Sequence, residues 1–114
     1  MLARLMGLET VSPSALHQLM QAAAVTVIDV NSRQSWNDAH VPGALHLDPF
    51  TYAEADLPAD KNAPLVFYCS NFLCTKAPKA ARRAKKLGYT HVRVMSAGIT
   101  GWLSAALPTE AAPA

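Results

Sequence analysis

The chain has 114 residues, 51% of them hydrophobic but only 7% aromatic, a net charge of +2 and two cysteines. That length suits one domain, residues 1–114, burying roughly two-thirds of its unfolded surface. The small charge argues against nucleic-acid binding through a basic patch, and two cysteines are too few for a disulfide scaffold.

No run approaches the roughly 18 apolar residues of a membrane span. The opening Met1 to Leu8 is too short for a signal-peptide core and lacks a cleavage pattern, so a cytoplasmic protein with no membrane partner is expected.

The first element expected is a helix with Ser12 as N-cap, Pro13 at its first position and Leu16, Leu19 and Met20 on one face, running to about Ala23. The β-branched run Val25 to Ile28 reads as a buried strand ending at Asp29-Val30. Asn31-Ser32 can cap a short helix through Trp36 to about Ala39, Val41-Pro42-Gly43 is a turn, and Ala44 to Leu47 is a short strand. Asp48-Pro49 opens a further short helix over 50–55, and a polar, proline-bearing connection follows from Leu57 to Pro64.

Leu65 to Tyr68 reads as a strand that ends on Cys69. After a loop carrying Cys74, a basic helix runs from about Lys76 to Leu87, with Ala77, Ala80, Ala81, Ala84 and Leu87 on one side and Gly88 as its C′ residue. Val92, Val94 and Met95 make the last strand, Ile99 to about Ala105 the last helix, and 109–114 a disordered Pro/Ala tail. Strands alternating with helices predict an α/β fold, a mostly parallel central sheet with helices on both faces. Ligands of such sheets gather at the carboxyl ends of the strands, where Cys69 falls.

A cysteine between a strand end and a helix N-terminus has a physical reason to react. Unpaired backbone N–H groups and the helix dipole both favour thiolate over thiol. Cys69 is therefore the candidate nucleophile. The backbone amides of Ser70, Asn71, Phe72, Leu73, Cys74 and Thr75 are the expected cradle for a bound anion. Lys76, in the first helical turn, is the candidate cationic contact for that anion.

Four segments together resemble a single-domain rhodanese, a sulfurtransferase family, over about 12–108. They are Asp29-Val30, the turn His40-Val41-Pro42-Gly43-Ala44, Tyr68-Cys69 with Leu87-Gly88-Tyr89 at the right distance, and Ala97-Gly98 with Trp102 and Leu107-Pro108. The resemblance implies an enzyme in which Cys69 takes a sulfane sulfur as a persulfide and passes it to a thiophilic acceptor. It implies a small sulfur-donor anion or a protein persulfide as donor and a thiol as acceptor, with no cofactor.

The chain departs from that family at four places. Cys74 stands where the loop usually has Arg or Lys, Phe72 where it has glycine, Asn31 in place of an Arg, and Ala97 in place of the first glycine of a pair. A less cationic, more apolar pocket follows, with Phe72 and Leu73 at its rim. If Phe72 must adopt left-handed geometry, the strain is about 1–2 kcal/mol.

Cys74 is a candidate resolving thiol, able to form an internal disulfide with Cys69, or else filler facing the core. Two alternatives to sulfur transfer follow: a dithiol/disulfide redox or sensing module, and a catalytically silent rhodanese-like domain that binds a partner protein. A zinc site is not expected, because no matched Cys or His pair accompanies the two cysteines. Neither is a Cys-x5-Arg phosphatase loop, since the sixth residue after Cys69 is Thr75. His40 is read as fixing its turn, Asp29 as a structural carboxylate, Trp36 and Trp102 as packing. The run Lys79, Arg82, Arg83, Lys85 and Lys86 is read as a solvated helix face able to steer anions.

Overall fold

A computed structural model describes residues 2–22 and 24–113. The chain runs α1 (Leu2–Leu5), β1 (Glu9–Thr10), α2 (Pro13–Ala22), β2 (Thr26–Asp29), α3 (Arg33–Asp38) and β3 (Leu45–His46). It continues through β4 (Leu65–Tyr68), α4 (Lys76–Lys86), β5 (Val92–Val94) and α5 (Gly98–Ser104). The five strands form one sheet in the order β1-β5-β4-β2-β3, and every neighbouring pair is parallel. The predicted α/β architecture, a parallel sheet with helices on both faces, is the observed one.

Alternation along the two central strands divides the interior. Ile28, Leu65, Phe67 and Cys69 pack beneath Ala3 of α1 and the alanines Ala77, Ala80, Ala81 and Ala84 of α4. Val27, Val66 and Tyr68 face the other way, toward Leu16 of α2 and Ile99 and Trp102 of α5. Small alanine side chains let α4 approach the sheet closely, so Cys69 is buried on the α4 side at 3% exposure.

Ser12 Oγ accepts from the N–H of Ala15 at 3.1 Å, which caps α2 as its sequence suggests; Ala23, the expected end, lies outside the described residues. The expected helix over 50–55 is instead a turn followed by a single 3-10 turn at Glu54–Asp56. Asp48 Oδ1 takes the N–H groups of both Phe50 and Thr51, at 2.8 and 3.0 Å, and Tyr52 turns inward to donate its hydroxyl to Ala80 O at 2.7 Å. A carboxylate that gathers two successive amides closes a turn and competes with helical bonding.

The segment after Pro108 is ordered against the body through Ala112. Glu110 exchanges backbone hydrogen bonds with His40, its carboxylate accepts from Gly43 N–H at 2.9 Å, and Ala112 N–H donates to Asn37 O. Composition alone suggested a disordered tail over 109–114. One carboxylate and a short stretch of backbone pairing hold most of it down, and Ala114 lies outside the described residues.

Candidate active site

β4 delivers Cys69 to the carboxyl edge of the sheet, and α5 fixes the start of the loop that follows. Ile99 N–H donates to Cys69 O at 2.9 Å and Thr100 N–H to Ser70 O at 3.1 Å. Two of the unpaired amides at the α5 N-terminus thus hold the carbonyls of the catalytic candidate and its neighbour. The approach requires Gly98. Its φ is +63°, and a Cβ there would lie 2.5 Å from Ser70 C and 2.6 Å from the carbonyl oxygens of Cys69 and Ser70. The preceding Ala97 has helical geometry, φ −63° and ψ −20°, so an alanine in place of glycine causes no strain there.

Strand β2 supports the loop from the other side. Ser70 Oγ donates to Asn31 Oδ1 at 2.8 Å, and Asn31 N–H donates to Asp29 Oδ1 at 2.8 Å. Tyr68 Oη donates to Asp29 Oδ2 at 2.6 Å and accepts from Val41 N–H at 3.0 Å. Asp29 is therefore the buried structural carboxylate the sequence suggested. Burial raises its pKa, and the bonds from Tyr68 and Asn31 oppose that rise. His40 stacks on Trp36 at 3.8 Å, and its Nδ1 donates to Trp36 O at 2.6 Å, which fixes the turn that Val41 begins.

Cys69 and Cys74 line one pocket, and hydrogen bonding between the two thiols contributes to the shifts of both pKa values. Burial pushes Cys69 up to about 12, helped by that bond with Cys74 and by Cys74's charge; the N–H groups of Ala77 and Ser70 pull the other way. Burial also acts to raise Cys74. It is outweighed by the hydrogen bond from Cys69, the N–H groups of Ser70 and Lys76, and the Lys76 ammonium, so Cys74 is held below the ordinary thiol range. Of the two thiols Cys74 is thus the more acidic and Cys69 the less. The helix N-terminus is expected to favour the thiolate of Cys69; burial opposes it there, and the amides lower the more exposed Cys74 further.

A consequence can be measured directly. Iodoacetamide at neutral pH is expected to label Cys74 ahead of Cys69 by about tenfold or more, because only thiolates alkylate readily. Peptide mapping that found Cys69 labelled first would reverse the order of the two acidities.

The backbone N–H groups that lower the thiol pKa values are those of Ser70, Lys76 and Ala77. Within the loop, Leu73 N–H goes to Asn71 Oδ1 at 2.9 Å and Cys74 N–H to Asn71 O at 3.2 Å. The contribution of Lys76 and Ala77 was missed in the sequence because it depends on how far the loop travels before α4 starts. Phe72 is half exposed and Leu73 lies at the surface. Among the described residues the only non-glycine with positive φ is Ala106, so the strain anticipated at Phe72 does not arise.

The pocket over the thiols is small, about 10 Å³, room for roughly one water. Phe72, Ala3, Ser96 and Pro78 are among its walls. Sequence reasoning did not anticipate Ala3 or Ser96 there, since Ala3 arrives through the pairing of β1 with β5 and Ser96 through that of β5 with β4. Among the described residues no helix is long and apolar enough to cross a membrane, and no group of three or more His, Cys, Asp or Glu is placed to hold a metal ion.

Comparison with known proteins bears on this geometry. Residues 12–105 match the family described as rhodanese-like domain. Thiosulfate sulfurtransferase GlpE of Haemophilus influenzae is 25% identical over 107 residues, covering 94% of this chain and 99% of that protein. An HTH-type transcriptional regulator of Mycobacterium tuberculosis is 31% identical over 104 residues; the match takes in 90% of this chain but only 45% of the regulator. Among solved structures, the BH2092 protein from Bacillus halodurans superposes with a TM-score of 0.82 at 22% identity, covering 90% of this chain and 77% of that one. The parallel sheet, the loop after β4 and the matched span agree: this chain belongs to the rhodanese-like domain family.

Proposed function

We propose that the protein is a sulfurtransferase in which Cys69 carries the sulfur. One observation carries the reading: a buried cysteine at the carboxyl end of β4, its carbonyl held by the Ile99 N–H of α5, lines one small pocket with a second cysteine, Cys74, whose pKa is lowered. As a donor arrives, Cys74 takes the proton of Cys69, and the Cys69 sulfur attacks the donor's sulfane sulfur. With thiosulfate, the S–S bond breaks and sulfite leaves with its electron pair, leaving a Cys69 persulfide anion. The amides then face a persulfide in place of a thiol. An acceptor thiolate attacks the outer sulfur and releases Cys69 as the leaving group. Lys76 is the nearby cation available to the anionic donor.

Intact-protein mass spectrometry after incubation with thiosulfate tests this. The wild type is expected to gain one sulfur atom and Cys69→Ser none. Sulfur uptake by the Cys69→Ser protein would refute Cys69 as the carrier. No uptake from thiosulfate, mercaptopyruvate or a protein persulfide would refute the function.

The contact between the thiols favours a second reading, in which Cys74 resolves the persulfide. Its thiolate attacks the Cys69 sulfur and expels hydrosulfide, which leaves a Cys69–Cys74 disulfide for an external dithiol to reduce. Hydrosulfide released by the wild type but not by Cys74→Ser would support it. Equal release from both would exclude it.

A further inference from the structure

The thiol pocket has a larger neighbour. A cleft of about 280 Å³ opens between the N-terminal segment and the loop, walled by Arg4, Thr10, Val11 and Pro13. The two cavities share Phe72 and Ser96, so these side chains form the partition between them. Ser96 Oγ is buried and lacks a hydrogen-bond partner. A hidden hydroxyl left unpaired costs about 1–3 kcal/mol, a deficit that a ligand atom can make good.

The cleft also supplies a cation. Arg4 takes part in none of the ion pairs formed among the described residues, which join His40 to Glu110, Lys61 to Glu54 and Arg93 to Glu9. It lies ahead of the span 12–105 that matches the family. The loop itself carries Cys74 where a cation would otherwise stand. Positive charge therefore reaches this end of the site from α1, across the cleft from the thiols. The thiol pocket holds little more than a reacting sulfur, whereas the cleft beside it has room for the rest of a small organic molecule.

We propose that this cleft is the subsite for the body of the sulfur donor, and that the donor is an organic persulfide bearing a carboxylate. Arg4 takes the carboxylate, Val11, Pro13 and Phe72 cover the hydrocarbon part, and Ser96 Oγ bonds a polar atom where the donor passes the partition. The outer sulfur then lies against Cys69. In the transfer step Cys69 attacks that sulfur, the S–S bond breaks and the donor's own thiolate leaves. The step rests on the sulfur-transfer reading above, but the binding does not.

The test separates the two. In the Cys69→Ser protein, which lacks the proposed acceptor, N-acetyl-S-methylcysteine serves as an inert stand-in, and its methyl ester as the uncharged control. The acid is expected to shift the amide resonances of Thr10, Val11 and Ser96. Arg4→Gln is expected to weaken the acid about tenfold, as loss of a charge-assisted bond does, and to leave the ester unchanged. Absence of those shifts, or equal weakening of acid and ester, overturns the subsite. With N-acetylcysteine persulfide and the protein retaining Cys69, Arg4→Gln should raise KM for sulfur loading and spare kcat. Binding of the acid without any sulfur uptake would sink the sulfurtransferase reading alone. Uptake indifferent to Arg4→Gln would sink the subsite alone.

Discussion

Gly98→Ala is expected to destabilise the protein by about 2–5 kcal/mol and to abolish sulfur loading at Cys69. Left-handed φ strains an alanine by about 1–2 kcal/mol, and driving a methyl into backbone atoms costs about 1–3 kcal/mol more. The atoms it meets are Ser70 C at 2.5 Å and the Cys69 and Ser70 carbonyl oxygens at 2.6 Å, which cannot rotate aside as a flexible side chain could. Either α5 withdraws and the Ile99 and Thr100 hydrogen bonds to the loop are lost, or the loop moves and takes Cys69 from its amides. Thermal unfolding should show a fall in Tm of roughly 10–30 °C. Gly88→Ala is the control. It also has positive φ, +101°, but its added methyl would meet only Lys61 Cδ, at 3.9 Å, so strain alone of about 1–2 kcal/mol is expected, with loading retained. If Gly98→Ala proved no worse than Gly88→Ala, the packing of α5 on the loop would not be what holds Cys69.

Tyr68→Phe should cost about 2–4 kcal/mol although it removes a single oxygen and leaves the ring's packing intact. That oxygen donates to Asp29 at 2.6 Å and accepts from Val41 N–H at 3.0 Å. Its loss leaves a buried carboxylate short of one partner and a buried amide with none, at the junction of β2, β4 and the His40 turn. The pH dependence has a definite sign. Burial already raises Asp29 in the folded protein, so its contribution to stability is full below the ordinary value of 3.8 and declines as pH rises through the folded value. Tyr68 opposes that rise by bonding the charged form. Without it the folded value climbs further and the decline lasts to higher pH. Urea unfolding should therefore show the gap between wild type and Tyr68→Phe widening from acid toward neutral pH. A gap that narrowed would mean that the hydroxyl does not stabilise the carboxylate.

The frame of this site was legible from local pattern. Leu65 to Tyr68 form a fully buried strand, and such strands show as unbroken apolar runs. The alanine stripe of α4 likewise announces a helix lying close on a sheet. What could not be read depended on partners distant in sequence. β1 is two residues long and exists because Glu9 and Thr10 pair with Arg93 and Val94, so no local signal marks it. The expected helix over 50–55 failed because Asp48 gathered the amides and Tyr52 found Ala80 across the fold. Cys69 and Cys74 could be named from the sequence as a pair. Which of them is the more acidic depends on how deeply each is buried, a property of packing that the spacing of two cysteines does not contain.

The pairing of β1 bears on how the site breathes. Two residues of edge strand and four of helix tie the N-terminal segment to the rest of the molecule, whereas β2 and β4 share four paired positions in the middle of the sheet. Segments with few contacts open at a free energy far below that of global unfolding, and they do so while the remainder stays folded. When the segment from α1 through β1 lifts away, Ala3 leaves the wall of the thiol pocket and Arg4 departs from the cleft in the same motion. A cavity with space for one water is thus widened by a local excursion that leaves the central sheet folded.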